Sequence, residues 1–503
     1  MSSSYYWHDY ETWGCDPRVH RPSQFAGVRT DEDFNIVGDP HLWYCQPPED
    51  IWPEPAACEI TGIHPLHARQ NGLPEPEFIG RILTQMSQAN TCNIGYNSIR
   101  FDDEVSRHTA FRNFHDPYAR EWQAGCTRWD LIDLVRSVYA LRPEGIHWPQ
   151  IGGEVSLRLE HLSAANGIAH NNAHDALSDV IATIELAKLI KKTKPQLFEY
   201  FRSHRSKQAC EQSLALGSGK MVGHISSMFG KKHRYCSAIQ GLMRHPSNRN
   251  QILCYDLRYD PREFETLSSA DIKRRLYSKA DELGADTRFP LKAVHINRSP
   301  VLFPAQVFTP QVCEGVGLSL STLQHHQQQL NKINFTDRLA EVMSAEPAFP
   351  KADCEASLYE GFIDRRDRAL CEEVVKTPLD EIHTLHLVFD DSRLNELFAR
   401  YRARYAASKI DHYEQDDWYS WVKERLTHGD KNFTSPSLPS ATPALSLADY
   451  LLGLSSLSPQ SSPLLLSTLL DDVADRCQKY AIDLADYPLF EQLRVRCSVR
   501  ASN

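Results

Sequence analysis

The chain has 503 residues, more than one hydrophobic core usually serves, so two or three domains are expected. Its 41% hydrophobic and 24% charged content is that of a globular protein, and no apolar run approaches the ~20 residues that span a bilayer. A net charge of −10 argues mildly against nucleic-acid binding, except that the charges are segregated into runs.

Residues 5–10, rich in aromatics, read as a strand, followed by a second at 25–29, a polar turn at 31–33 and a third strand at 41–45. The first ten residues show neither the basic nor the apolar segment of a signal peptide. Pro47, Pro48, Pro53 and Pro55 break regular structure. A helical stretch follows at 77–86, then a strand at 91–96 and a helix opening near Asp102. Residues 173–190 carry Ala176, Leu177, Val180, Ile181, Ile184 and Ala187 at helical spacing, with Asn171 or Asn172 as candidate cap. Lys194-Pro195 marks a boundary. Residues 215–310 hold short strand-like pieces such as 251–255, a small barrel interrupted by a helix at 268–283. From Pro350 onward helices dominate, interrupted by a Ser/Thr/Pro-rich stretch at 432–444 that reads as a disordered surface loop.

Thirteen scattered cysteines with no Cys-x-x-Cys pair indicate reduced thiols and a cytoplasmic location, without disulfides or structural zinc. Basic residues gather in three runs: Lys188 to Lys207, then Lys231, Lys232 and Arg234, then Arg400, Arg402 and Arg404. Each alone reads as a solvated face.

Three elements carry chemistry. Asp9 and Glu11 alternate on a strand and so project from one face, where two carboxylates repel unless a cation lies between them. Asn97 and the pair Phe101-Asp102 follow a strand and open a helix, an arrangement that also suits simple capping. His174 precedes Asp179 by five residues. In a continuous helix these would point about 140° apart, so His174 is placed at or before the first turn.

In this order the three elements resemble the DEDDh exonuclease superfamily, which has a ribonuclease H-like fold. Within it, the flanking text is similar to the bacterial exodeoxyribonuclease I family: His8-Asp9-Tyr10-Glu11-Thr12, Ile60-Thr61-Gly62-Ile63, Gly95-Tyr96-Asn97, the run from Tyr139 to Ile146, Arg158-Leu159-Glu160-His161-Leu162 and Ala173-His174-Asp175-Ala176. The likeness continues in Met228-Phe229-Gly230, Val294-His295-Ile296-Asn297 and Tyr401-Arg402-Ala403-Arg404, and is least over 432–470.

The resemblance implies an α/β exonuclease domain (1–194), an SH3-like β-barrel domain (195–348) and an α-helical C-terminal domain (349–503). It implies a 3′→5′ exonuclease that degrades single-stranded DNA to nucleoside 5′-monophosphates, in DNA repair and recombination, as a monomer away from membranes. Asp9, Glu11, Asp102 and Asp179 would hold two Mg²⁺ ions, with Mn²⁺ as substitute, and His174 would be the general base. Positions matching the family's strand contacts are Glu11, Arg107, Tyr118, Trp122, Arg136, Arg158, Lys207, Asn250, Lys292 and Asn297. Core packing is the plain alternative for Tyr118 and Trp122. Arg142 and Tyr200 would receive the acidic, Phe-ended tail of single-stranded DNA-binding protein. Two other readings remain open: a DEDDh nuclease on RNA or short oligonucleotides, and a catalytically dead binding module.

Overall fold

The computed structural model describes residues 4–169, 175–344, 352–429, 444–457 and 463–501. The first domain is built on a five-stranded sheet of β1 (Ser4–Thr12), β2 (Pro22–Thr30), β3 (His41–Tyr44), β4 (Thr91–Gly95) and β5 (Thr127–Asp130), in the order β3-β2-β1-β4-β5. β1 runs antiparallel to β2 and parallel to β4, which puts it at the centre of a mixed sheet. Its aromatic run does not alternate in burial because both faces are covered. Tyr5 and Trp7 enter a core with Leu134 and Val138 of α5 (Leu131–Leu141) and with Val180 and Ile184 of α7 (Ala176–Thr193). Tyr6 and Tyr10 face Phe78 and Ile82 of α3 (Glu75–Met86) and Val105 of α4 (Asp102–Arg112). A short hairpin, β6 (Gln150–Ile151) with β7 (Glu154–Val155), and α6 (Leu159–Ala165) complete this layer.

The expected break at the prolines is instead two short helices, α1 (Pro55–Thr61) and α2 (Pro65–Asn71). Proline at the first helical position has no amide hydrogen to lose, so Pro55 and Pro65 start these helices. Trp52, Cys58, Ile63 and Ala68 are buried there against Trp418, Leu447, Tyr450 and Leu469, in a core shared with the C-terminal helices.

After α8 (Pro195–Ser203) and α9 (Lys207–Leu214), the second domain is an antiparallel sheet of β8 (Met221–Ile225), β9 (Cys236–Arg244), β10 (Gln251–Asp256), β11 (Leu291–His295) and β12 (Val301–Pro304), ordered β11-β10-β9-β8-β12. The helix expected at 268–283 is two, α10 (Ser269–Tyr277) and α11 (Ala280–Leu283), separated where Ser278 turns extended. Helices α12 (Pro310–Val316), α13 (Leu320–Leu330) and α14 (Thr336–Ser344) follow. The third domain contains α15 (Arg365–Lys376), α16 (Ser392–Ala406), α17 (His412–His428), α18 (Leu447–Ser455), α19 (Pro463–Lys479) and α20 (Pro488–Ala501). No helix among the described residues is long and apolar enough to cross a membrane. All thirteen cysteines are free thiols.

The run Arg400, Arg402 and Arg404 is not the solvated face its sequence suggests. Arg400 pairs with Asp353 at 2.8 Å, Arg402 with Glu414 at 3.3 Å, and Arg404 with Asp50 at 3.0 Å and Glu355 at 2.8 Å. Arg21 and Arg425 join the same buried cluster, on Glu355 at 2.8 Å and Asp50 at 2.7 Å. Burial alone would raise both carboxyls. The guanidinium groups outweigh it and hold Asp50 and Glu355 below the usual carboxylate range. This cluster locks the third domain onto the first.

Candidate active site and its cleft

β1 and the first turns of α4 and α7 converge at one end of the sheet. Asp9 and Glu11 are half-buried on β1, and Asp179 is half-buried in the first turn of α7. Each offers a carboxylate oxygen, and the three oxygens lie within 4.8 Å of one another. Asp102 is the first residue of α4, 4% exposed, and accepts the Tyr10 backbone N–H at 3.0 Å. Tyr10 lies between Asp9 and Glu11, so this bond ties α4 directly to the acidic strand.

The electrostatics are those of uncompensated negative charge. Burial, then repulsion from Asp102, Glu11 and Asp179, drives the Asp9 carboxyl well above its ordinary range. Burial and the charges of Asp179 and Asp102 push Glu11 up to about 8. Burial raises Asp102 to about 8 against the lowering effect of the Tyr10 amide. Three carboxylates with oxygens close enough to share an ion, and the charge of Asp102 acting on them, form a hard donor set that fits divalent cations such as Mg²⁺. His174 and the candidate caps Asn171 and Asn172 lie outside the described residues. Asp175 caps α7, accepting the Ser178 amide at 3.2 Å.

Two positioning residues, Asp130 and Gln24, escaped sequence reasoning, and Gly95 was quoted there without a role. Asp130 caps α5 through the Ile132 amide at 3.1 Å and also accepts the amides of Asn97 at 2.8 Å and Ile99 at 3.2 Å. It thereby shapes the turn that delivers Asp102. Asn97 adopts a left-handed conformation there, φ 64°. Gln24, opposite Glu11 on β2, accepts the Ala176 amide at 3.3 Å and anchors the start of α7. Gly95 is required by close approach: a Cβ would lie 2.6 Å from that of Ser98 and 3.0 Å from the His8 carbonyl oxygen. Neither Asp130 nor Gln24 has a spacing that marks it. Only the strand–turn–helix context of Gly95 and Asn97 hinted at a turn.

Beside Asp102 opens a cavity of about 1170 Å³, lined by all three domains. Arg18, Arg100, Phe101, Glu104 and His108 come from the first, Ser226, Met228, Lys292, His295 and Arg298 from the second, and Tyr359 from the third. Lys292, 8% exposed, donates to Ser226 Oγ at 2.9 Å, and burial together with Arg100 pushes its ammonium down to about 8.

The other expected strand contacts are spread along the first two domains. Trp122 is 66% exposed and so is not a core residue, whereas Tyr118 is half-buried against the third domain's core. Arg107 is 3% exposed and turned inward, donating to Glu121 at 2.7 Å and Glu104 at 2.8 Å, with its guanidinium 5.4 Å from the Tyr118 ring centroid. Arg136 is also buried, paired with Asp133 at 2.6 Å. Arg158 is exposed beside Glu160 at 2.8 Å, and Lys207 donates to Asn250 at 2.8 Å. Asn297 is exposed, its carbonyl accepting from Arg128 at 3.0 Å. Arg142 is exposed at the end of α5, and Tyr200, on the neighbouring α8, stacks on His204 at 4.1 Å.

A carboxylate cluster on the central strand of a mixed sheet, beside a cleft, defines the class of protein: an exonuclease of ribonuclease H-like fold. Residues 6–187 match the exonuclease family, 205–345 the exonuclease I SH3-like domain and 352–438 the exonuclease I C-terminal domain. The chain is 42% identical over 435 residues to exodeoxyribonuclease I of Escherichia coli, covering 85% of this chain and 90% of that one. To the enzyme of Haemophilus influenzae it is 40% identical over 428 residues, 84% and 90% of the two chains. Among solved structures, a moderately thermophilic exonuclease I from Methylocaldum szegediense superposes with a TM-score of 0.86 at 38% identity, over 95% of this chain and 99% of that one. The zinc-bound complex of Escherichia coli exonuclease I with single-stranded DNA superposes at 0.85 and 38%, over 95% and 100%. The chain belongs to the exodeoxyribonuclease I family.

Proposed function

We propose that this exonuclease digests single-stranded DNA from its 3′ end, releasing nucleoside 5′-monophosphates. The observation that carries the reading is the cluster of Asp9, Glu11 and Asp179, under the charge of Asp102, beside a cleft lined by arginine, lysine and aromatic side chains. The Escherichia coli relative is seen with single-stranded DNA and with zinc, which supports the same substrate and a divalent cation here.

The four carboxylates would hold two Mg²⁺ ions, with Mn²⁺ as substitute. When bound, the ions polarise the scissile phosphate and stabilise the charge on its entering and leaving oxygens. The protein's own groups do the rest. His174 takes the proton of the attacking water. Glu11, at the edge of the cluster, also meets the sugar of the terminal nucleotide. Lys292 and Arg158 meet phosphates, as do Lys207, Asn250 and Asn297 through charge or amide groups. Trp122 stacks on a base, a contact indifferent to sequence. Arg107 serves the strand through Tyr118, whose ring it covers, and Arg136 through the second domain, whose Tyr235 ring it covers at 5.5 Å. Arg142, at the end of α5, and Tyr200, on the contacting helix α8, would take the carboxylate and phenyl ring of the single-stranded DNA-binding protein tail. A monomer working in the cytoplasm in DNA repair completes the reading.

The test is digestion of 5′-labelled single-stranded DNA, duplex DNA and RNA with Mg²⁺ or EDTA. Shortening of the single-stranded DNA alone, from the unlabelled end and only with metal, is expected. Preference for RNA, or cleavage in EDTA, would refute the proposal.

A further inference from the structure

The cleft wall contains one carboxylate that all three domains use. Glu104 stands on α4 two residues beyond Asp102 and lines the cavity. Its Oε2 accepts the hydroxyl of Tyr359, from the third domain, at 2.5 Å. Its Oε1 accepts Arg107 at 2.8 Å and lies 3.9 Å from the guanidinium of Arg298, from the second domain. Arg107 also donates to the Tyr359 hydroxyl at 3.2 Å, and the Tyr359 ring meets His108 edge-on at 5.7 Å. Arg107 is almost wholly buried and Glu104 has only 16% of its side chain exposed, whereas Tyr359 is 56% exposed and Arg298 has 40% of its side chain exposed. The more buried part of this junction therefore belongs to the nuclease domain, and the more exposed parts that meet it come from the other two.

We propose that Glu104 is the clasp of the cleft, holding Tyr359 and Arg298 across it and so setting how long a strand stays enclosed between cleavage events. This rests on the reading that single-stranded DNA occupies the cleft. A hydrogen bond to a charged group is the stronger kind, yet it can be broken without unfolding either domain. A junction of one such bond, from Tyr359, and one looser ion pair, from Arg298, suits a closure that opens when a strand enters or leaves. Because Glu104 shares a helical turn with Asp102, the clasp and the acidic cluster also move as one body. Its effect then falls on strand residence, and Glu104 acts as a positioning residue.

The experiment measures release of a fluorescent single-stranded oligonucleotide in EDTA, chased with unlabelled DNA, for the full-length wild type, Tyr359→Phe, Glu104→Gln and the double variant. Release should quicken roughly tenfold in each single variant, as for one lost hydrogen bond to a charged group. The double variant should be no faster than the faster single one, since both open one clasp. With Mg²⁺ and a DNA trap, the number of nucleotides removed per encounter should shrink by the same factor. Unchanged release, or effects of the two substitutions that multiply, would overturn the clasp. If Glu104→Gln folds poorly, Tyr359→Phe decides alone, because it deletes a single oxygen from a half-exposed ring. A wild type that holds the strand but never cuts it removes the proposed activity while the release rates still judge the clasp. One that holds no strand removes both.

Discussion

Asp102 takes the Tyr10 amide on one oxygen while its charge is the largest carboxylate repulsion felt by Asp9. Asparagine preserves the acceptor and deletes the charge. Asp102→Asn should therefore melt near the wild-type temperature yet lose at least the roughly 10²–10³-fold in turnover that follows removal of one electrostatic element. Melting curves beside single-turnover assays separate the two effects, and near-normal turnover in Mg²⁺ would displace Asp102 from the site. Lys292 offers a pH test on the strand side. Its ammonium is lowered to about 8, so raising the pH through 8 converts the cation to a neutral amine and removes a phosphate partner. Strand affinity measured in EDTA should fall between pH 7 and 9. Lys292→Arg, which stays charged throughout, should flatten that fall, and an equal fall in both proteins would assign it to other groups.

At the scale of elements, the turn from β4 to α4 decides where Asp102 sits, and Asp130 holds it through the amides of Asn97 and Ile99. Asp130→Ala removes a cap worth about 1 kcal/mol and strands buried amides at about 1–3 kcal/mol. A lower melting temperature and a deeper loss of turnover than the folded fraction explains are expected, with partial rescue in Asp130→Asn. Full turnover per folded molecule would show that the turn holds without it. The same region shows what a sequence makes legible. β1, β2 and α7 were readable because aromatic runs and 3.6-residue periodicity survive when an element faces a core. The body of α4 was not, because Asp102, Asp103, Arg107, His108 and Arg112 are all buried, and polar residues at core positions erase the stripe. Asp103 alone takes Arg120 at 2.7 Å and Arg128 at 2.6 Å. The four carboxylates proposed for the site could be named from their order along the chain, and the structure brings Asp9, Glu11 and Asp179 together. Gln24, Glu104 and Asp130 could not, since they act on backbone amides or on another domain. Runs of arginine misled for a related reason: the partners of Arg404, Asp50 and Glu355, lie far away in sequence.

For the whole molecule, net charge and local charge pull in opposite directions, and the structure shows how both can hold. Acidic residues outnumber basic ones by 65 to 55. Many basic side chains are also consumed internally, Arg21, Arg404 and Arg425 by the interdomain cluster and Arg120 and Arg128 by Asp103. The cleft nonetheless concentrates Arg18, Arg100, Lys292 and Arg298 on one surface. Binding should therefore be governed by a few phosphate contacts, and the salt dependence counts them. For single strands, log affinity against log salt falls with a slope of about −0.7 per neutralised phosphate. Lys292→Ala should make that slope shallower by about one such unit. Glu355→Ala perturbs charge outside the cleft. It leaves Arg21, Arg404 and Arg425 short of a buried partner, at about 3–5 kcal/mol, so it should lower the melting temperature while the salt slope of the protein that remains folded stays put. Titrating strand binding in EDTA from low to moderate salt, beside thermal melts of both variants, tests this division of labour. A wild-type affinity indifferent to salt would remove the cleft as the path of the strand. A slope changed equally by Glu355→Ala and Lys292→Ala would mean that the interdomain cluster, not the cleft wall, sets the field that the strand feels.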